Sequence, residues 1–129
     1  MKRVLVVDDD PLVVKLLHTA LGAEGIDVLG ASNGAEGLLA VASQHPDLVV
    51  LDVAMPVLDG FETLRALRAK PETAKLPVVM LTARRADADV VKGWSSGADL
   101  YITKPFEVKE LVLATKRLLE GAEEEGPEG

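Results

Sequence analysis

Asp8, Asp9, Asp52, Thr82 and Lys104 are the residues whose types and surroundings could do chemistry together. Each stands at or just past the carboxyl end of an apolar, β-type run: VLVV before Asp8, LVVL before Asp52, VVML before Thr82, and LYI shortly before Lys104. Three carboxylates brought close repel one another and need a cation to stay ionised together. An all-oxygen ligand set without Cys or His favours Mg²⁺ or Mn²⁺, and Mg²⁺ typically takes one or two carboxylates, waters and a phosphate oxygen. A carboxylate can also act as a nucleophile toward phosphorus, giving an aspartyl phosphate. The charge of the transferred group would then be neutralised by the metal and by a cation such as Lys104, with the Thr82 hydroxyl as a further donor.

Such residues work only if the chain brings them to one place. Residues 3–7, 26–31, 47–51, 78–81 and 100–102 read as strands, and the continuous apolar runs among them suit a parallel sheet covered on both faces. Helix-type stretches alternate with them at 11–23, 35–44, 60–69, 86–96 and 108–119. In the first, Asp10 is placed to cap and Pro11 to occupy the first helical position. Leu12, Val13, Leu16, Leu17, Ala20 and Leu21 form its expected apolar face, with Val14 at the edge and Lys15, His18 and Thr19 opposite. In the last, Val108, Leu111, Val112, Thr115, Leu118 and Leu119 make one stripe, from which Leu113 is set apart. Five βα units imply an α/β, doubly wound, parallel sheet with right-handed crossovers. In such open sheets ligands bind outside the carboxyl ends of the strands.

Each residue also has an ordinary explanation. An Asp before a helix is usually a cap, which is the preferred account of Asp10. Asp8 and Asp9 alone could be solvated loop charges, and a lone Thr or Lys after a strand is usually structural. His18 and His45 read as surface and loop residues. The chemical reading prevails because the ordinary ones would all have to hold at strand ends that converge.

The segments VLVVDDDP, DLVVLDVAMPVLDGFE, VVMLTA and GADLYITKPF resemble, in order and spacing, those of the response-regulator receiver domain of two-component signalling. The resemblance covers about residues 2–120. It implies a flavodoxin-like fold of five parallel strands in the order 2-1-3-4-5 with five helices; that order comes with the resemblance, not from the residue pattern. It implies that Asp52 is the phosphoacceptor, served by a histidine kinase or a histidine phosphotransfer protein. Asp8, Asp9, Asp52 and the backbone carbonyl of Ala54 would hold Mg²⁺, and Lys104 would contact a phosphoryl oxygen. Lys104–Pro105 would be cis. Thr82 would move to bond the phosphoryl group and Tyr101 would turn inward behind it, with small Ala83 leaving access to Asp52. The protein would be a stoichiometric acceptor that assists its own phosphorylation and dephosphorylation, not an enzyme. Val57 replaces the Gly that often follows Met-Pro, which implies a stiffer loop after Asp52. Ala54 and Arg84, two residues beyond Asp52 and Thr82, imply slow autodephosphorylation.

The output surface implied by the resemblance is the fourth helix, fifth strand and fifth helix, with a downstream protein or effector domain as listener. Trp94, Leu100 and Leu113 on those elements are either ordinary residues or an apolar patch for docking or a phosphorylation-linked homodimer. The first helix should dock the kinase or phosphotransfer partner.

Composition bounds the rest. The chain has 129 residues, enough for one domain, and its apolar content is almost entirely aliphatic. The formal charge of −7 is concentrated at the end: Glu120, Glu123, Glu124, Glu125 and Glu128 supply five of it. The near-neutral body has no basic stripe, so no direct nucleic-acid contact is expected. No apolar run approaches the roughly 20 residues of a membrane span. With no cysteine, a cytoplasmic, non-membrane protein is expected. Residues 1–120 are assigned to the receiver and 121–129 to an acidic disordered tail or the start of a linker. A stand-alone regulator and the receiver of a longer chain both fit. Two rivals remain: a doubly wound enzyme such as a flavodoxin-like protein or a phosphatase, and a receiver used only for protein contacts. Against the first, there is no Gly-rich phosphate loop and no second acid two residues after Asp52.

Overall fold

In the computed structural model, residues 1–83 and 97–125 are described, the side chains only as far as residue 121. The strands are β1 (Arg3–Val7), β2 (Asp27–Ala31), β3 (Leu48–Asp52), β4 (Val78–Thr82) and β5 (Leu100–Thr103). The helices are α1 (Pro11–Gly22), α2 (Gly34–Gln44), α3 (Gly60–Arg68) and α4 (Val108–Glu125). The candidate helix at 86–96, with Trp94, lies outside the described residues, as does Arg84. The five strands form one parallel sheet in the order β2-β1-β3-β4-β5.

Side chains alternate across each strand and so feed two cores. Val4 and Val6 of β1 join Val50, Leu81, Leu17 and Leu111 on the face covered by α1 and α4. Leu5 and Val7 join Leu51, Met80, Val41 and Leu64 on the face covered by α2 and α3. Both β3 and β4 are buried along their full length, as expected for central strands.

Local chemistry sets the helix ends. Asp10 caps α1 by accepting the Leu12 amide at 2.9 Å, ahead of Pro11. Asn33 caps α2, and Asp59 with Glu62 forms a reciprocal capping box on α3. Gly34 and Gly60 open helices where no side chain fits. A Cβ on Gly34 would collide with Thr63 Oγ1, and one on Gly60 with the Asp52 carbonyl oxygen.

Two helices differ from the sequence expectation. The buried face of α1 is Leu17 and Leu21, with Val13 and Val14 packed beside them, whereas Leu12 is 73 % and Leu16 46 % exposed. Six apolar positions make an arc too wide for one sheet contact, and the structure buries only the side nearest β1 and β2. The α4 stripe is as expected, with Leu111, Thr115 and Leu119 buried and Leu113 exposed. This helix continues to Glu125, so residues 120–125 carry it past the expected end at 119, and residues 121–125, expected to be disordered tail or linker, are helical instead.

Candidate functional site

The strand order explains how the acids meet. β1 lies directly beside β3, so Asp8, one residue past β1, and Asp52, the last residue of β3, share one sheet edge. Carboxylate oxygens of Asp8, Asp9 and Asp52 all lie within 4.8 Å of one another. Asp8 and Asp52 are buried, whereas Asp9 is exposed. The Asp10 amide donates to Asp8 Oδ1 at 2.9 Å, so the turn that starts α1 also orients the first acid.

Lys104 reaches the cluster from the loop after β5. Its Nζ donates to Asp8 Oδ2 at 3.0 Å and lies 3.3 Å from Asp52 Oδ1. The Lys104–Pro105 peptide is cis, as expected. Burial lowers the lysine's proton affinity, but its bond to Asp8 and the charges of Asp52 and Asp8 together hold its pKa above the ordinary value. For Asp52 the balance runs the other way. Burial, then repulsion by Asp8, raises the carboxyl from 3.8 to about 6, against the pull of Lys104. A buried nucleophile candidate crowded by acids is the environment in which a cation has most to offer. Hard oxygen donors without Cys or His fit Mg²⁺ or Mn²⁺.

Thr82 ends β4 at 1 % exposure, next to the strand that carries Asp52. Tyr101 is half-buried on β5 and packs against the core on the α2–α3 face. Ala54 is exposed in the loop that follows Asp52, and Ala83 follows Thr82. Thus the Asp8, Asp9 and Asp52 carboxylates are gathered and Lys104 pairs with Asp8 and Asp52, while Thr82 stands on β4 beside β3 and Tyr101 on β5, one strand further out. His18 and His45 take no part in this cluster.

Two features were missed from sequence. Gly60 lets α3 start hard against the Asp52 carbonyl; the signal was D-G-F-E, a capping pattern holding a glycine. The loop after Asp52 was expected to be stiffer with Val57 in place of Gly. In that loop Val57 takes φ 70, the conformation glycine would supply, which the sequence did not show.

Among the described residues no helix is long and apolar enough to cross a membrane. The model of the response regulator receiver domain matches residues 4–116. The DNA-binding response regulator MtrA of Mycolicibacterium smegmatis is 43 % identical over 127 residues, covering 98 % of this chain and 54 % of that protein. The chain spans about half the length of the curated relatives it matches. The name of this relative ascribes DNA binding to it, so the expectation of no nucleic-acid contact finds no support there. A CheY-like receiver domain from Methanospirillum hungatei superposes with a TM-score of 0.89 at 29 % identity, covering 98 % of this chain and 99 % of that one. The receiver domain of sensor histidine kinase PA1611 from Pseudomonas aeruginosa, solved with a magnesium ion coordinated in its active site cleft, gives 0.82 at 26 % identity over 92 % of this chain and 98 % of that one. With the fold, the strand-end acids and these likenesses in agreement, the chain belongs to the response regulator receiver domain family.

Proposed function

We propose that Asp52 accepts a phosphoryl group from a phosphohistidine of a sensor kinase or phosphotransfer protein, and that this switches a protein-interaction surface. The observation that carries the reading is the juxtaposition of Asp8, Asp9 and Asp52 oxygens within 4.8 Å, with Lys104 Nζ between two of them. An Asp52 oxygen attacks phosphorus as the donor's P–N bond breaks; the O–P bond forms, and the imidazole leaves with the electron pair and takes a proton from solvent. Asp8, Asp9, Asp52 and the Ala54 carbonyl would hold Mg²⁺, which would supply positive charge to the phosphoryl oxygens and let the carboxylates coexist ionised. Lys104 would exchange its Asp52 contact for a phosphoryl oxygen while keeping Asp8. Thr82 would donate its hydroxyl to the same group, and Tyr101 would follow it inward. Asp52 is thus a stoichiometric acceptor rather than a turnover residue.

Residues 1–120 form the receiver unit in this reading; the last helix carries on through residue 125, and the acidic end is a tail or the start of a linker. By likeness to the twice-longer MtrA, the output is an effector, in a cytoplasmic transcriptional regulator. The test is intact mass after incubation with a small phosphodonor and Mg²⁺. A gain of one phosphoryl group (about 80 Da), absent in Asp52→Asn, is expected. No gain would leave a receiver used only for protein contacts.

A further inference from the structure

Val57 lies in the loop between β3 and α3 with φ 70. The Leu58 amide donates to the Pro56 carbonyl at 2.8 Å, closing a three-residue ring around it. A ring of that size about a residue of that φ is the γ-turn form that is rare and strained. A β-branched side chain is a conformational outlier there, because its Cβ substituents crowd the backbone. The Val57 side chain is 78 % exposed, so packing does little to offset the strain.

The neighbours enforce the bend. A Cβ on Gly34 would lie 2.5 Å from the Leu58 carbonyl oxygen, which shows how closely α2 presses on this loop. At its far end the Gly60 amide donates to the Val53 carbonyl at 2.8 Å, and Asp59 is committed to the capping box of α3. Both ends being fixed, residue 57 absorbs the turn. Strain of this kind persists only where surrounding structure over-determines it. The same short loop carries Ala54.

We propose that Val57 is a positioning residue: its strain lowers the population of the loop conformation from which the Ala54 carbonyl would serve as a ligand, and so weakens Mg²⁺ binding. This rests on the metal reading given above. When only a fraction of molecules is competent to bind, the apparent Kd rises by the inverse of that fraction. Gly and Asn accept positive φ, Ala does so less readily, and Val least. Metal affinity should therefore rank Gly and Asn above Ala, and Ala above Val.

The experiment titrates Mg²⁺ into the full chain by calorimetry and by amide chemical shifts of residues 52–59, for wild type, Val57→Ala, Val57→Asn and Val57→Gly. Urea midpoints in chelator accompany each titration and verify folding. Val57→Gly and Val57→Asn are expected to bind at least about threefold tighter than wild type, with Val57→Ala between. Raised urea midpoints with one common Kd would overturn the proposal, because the strain would then be confined to the turn. Weaker binding in Val57→Gly would overturn it too, by showing that the valine holds the loop in place. A wild type that takes up no Mg²⁺ would instead remove the metal reading beneath it, so the two failures are told apart.

Discussion

Substituting Asn for Asp52 should stabilise the metal-free protein, and by an amount that depends on pH. The carboxyl sits at about 6 instead of 3.8, because burial and Asp8 disfavour its charged form. Below 3.8 both folded and unfolded chains hold the proton. Between 3.8 and about 6 only the folded chain does, so wild-type stability falls as pH rises through that window and is flat above it. At 1.36 kcal/mol per pH unit the full loss is about 3 kcal/mol, of which roughly half falls between pH 5 and pH 7.5. The amide introduced by Asp52→Asn does not titrate, keeps an oxygen to face Lys104, and places no charge beside Asp8. The advantage of Asp52→Asn over wild type should therefore grow by about 1–2 kcal/mol from pH 5 to pH 7.5, read from urea unfolding in the presence of chelator. Added Mg²⁺ should close the gap by stabilising only the wild type. An advantage that is constant with pH, or that grows toward acid, would refute the account of Asp52 as a carboxylate held against its own charge.

Other perturbations follow from individual contacts. Lys104→Met leaves the buried Asp8 and Asp52 carboxylates without their shared cation and should cost about 1–3 kcal/mol in chelator, with Mg²⁺ restoring part of it in a thermal melt. Thr115 carries a fully buried hydroxyl with no hydrogen-bond partner, so the isosteric Thr115→Val should stabilise by about 1–2 kcal/mol in urea unfolding. Gly34→Ala must move Thr63 and Leu58 and should destabilise by about 2–3 kcal/mol, whereas Gly22→Ala, with nothing within 4 Å, should gain about 0.5–1 kcal/mol. Equal effects of the two glycine changes in the same denaturant series would contradict the close approach at Gly34.

The amino-acid pattern alone determined the elements and their punctuation. Continuous apolar runs marked β1, β3 and β4, because a strand buried on both faces has no polar side to show. Asp10 with Pro11 announced the start of α1 through hydrogen-bonding capacity that is local to the chain. The placement of Asp8, Asp9, Asp52, Thr82 and Lys104 at strand ends was legible for the same reason, since each depends only on where a run stops. The strand order came from the likeness of whole motifs to a known family, not from periodicity. Tertiary structure decided what depends on partners distant in sequence. Which side of α1 is buried was settled by the sheet, which hides Leu17 and leaves Leu12 in solvent. The pairing of Lys104 with Asp8, across 96 positions, exists only because the strands carry both ends to one edge. The raised proton affinity of Asp52 is a property of that crowded, buried edge, and no reading of the residue alone contains it. Val57 shows the limit most clearly: its local preference is against φ 70, and the fixed ends of its loop impose it.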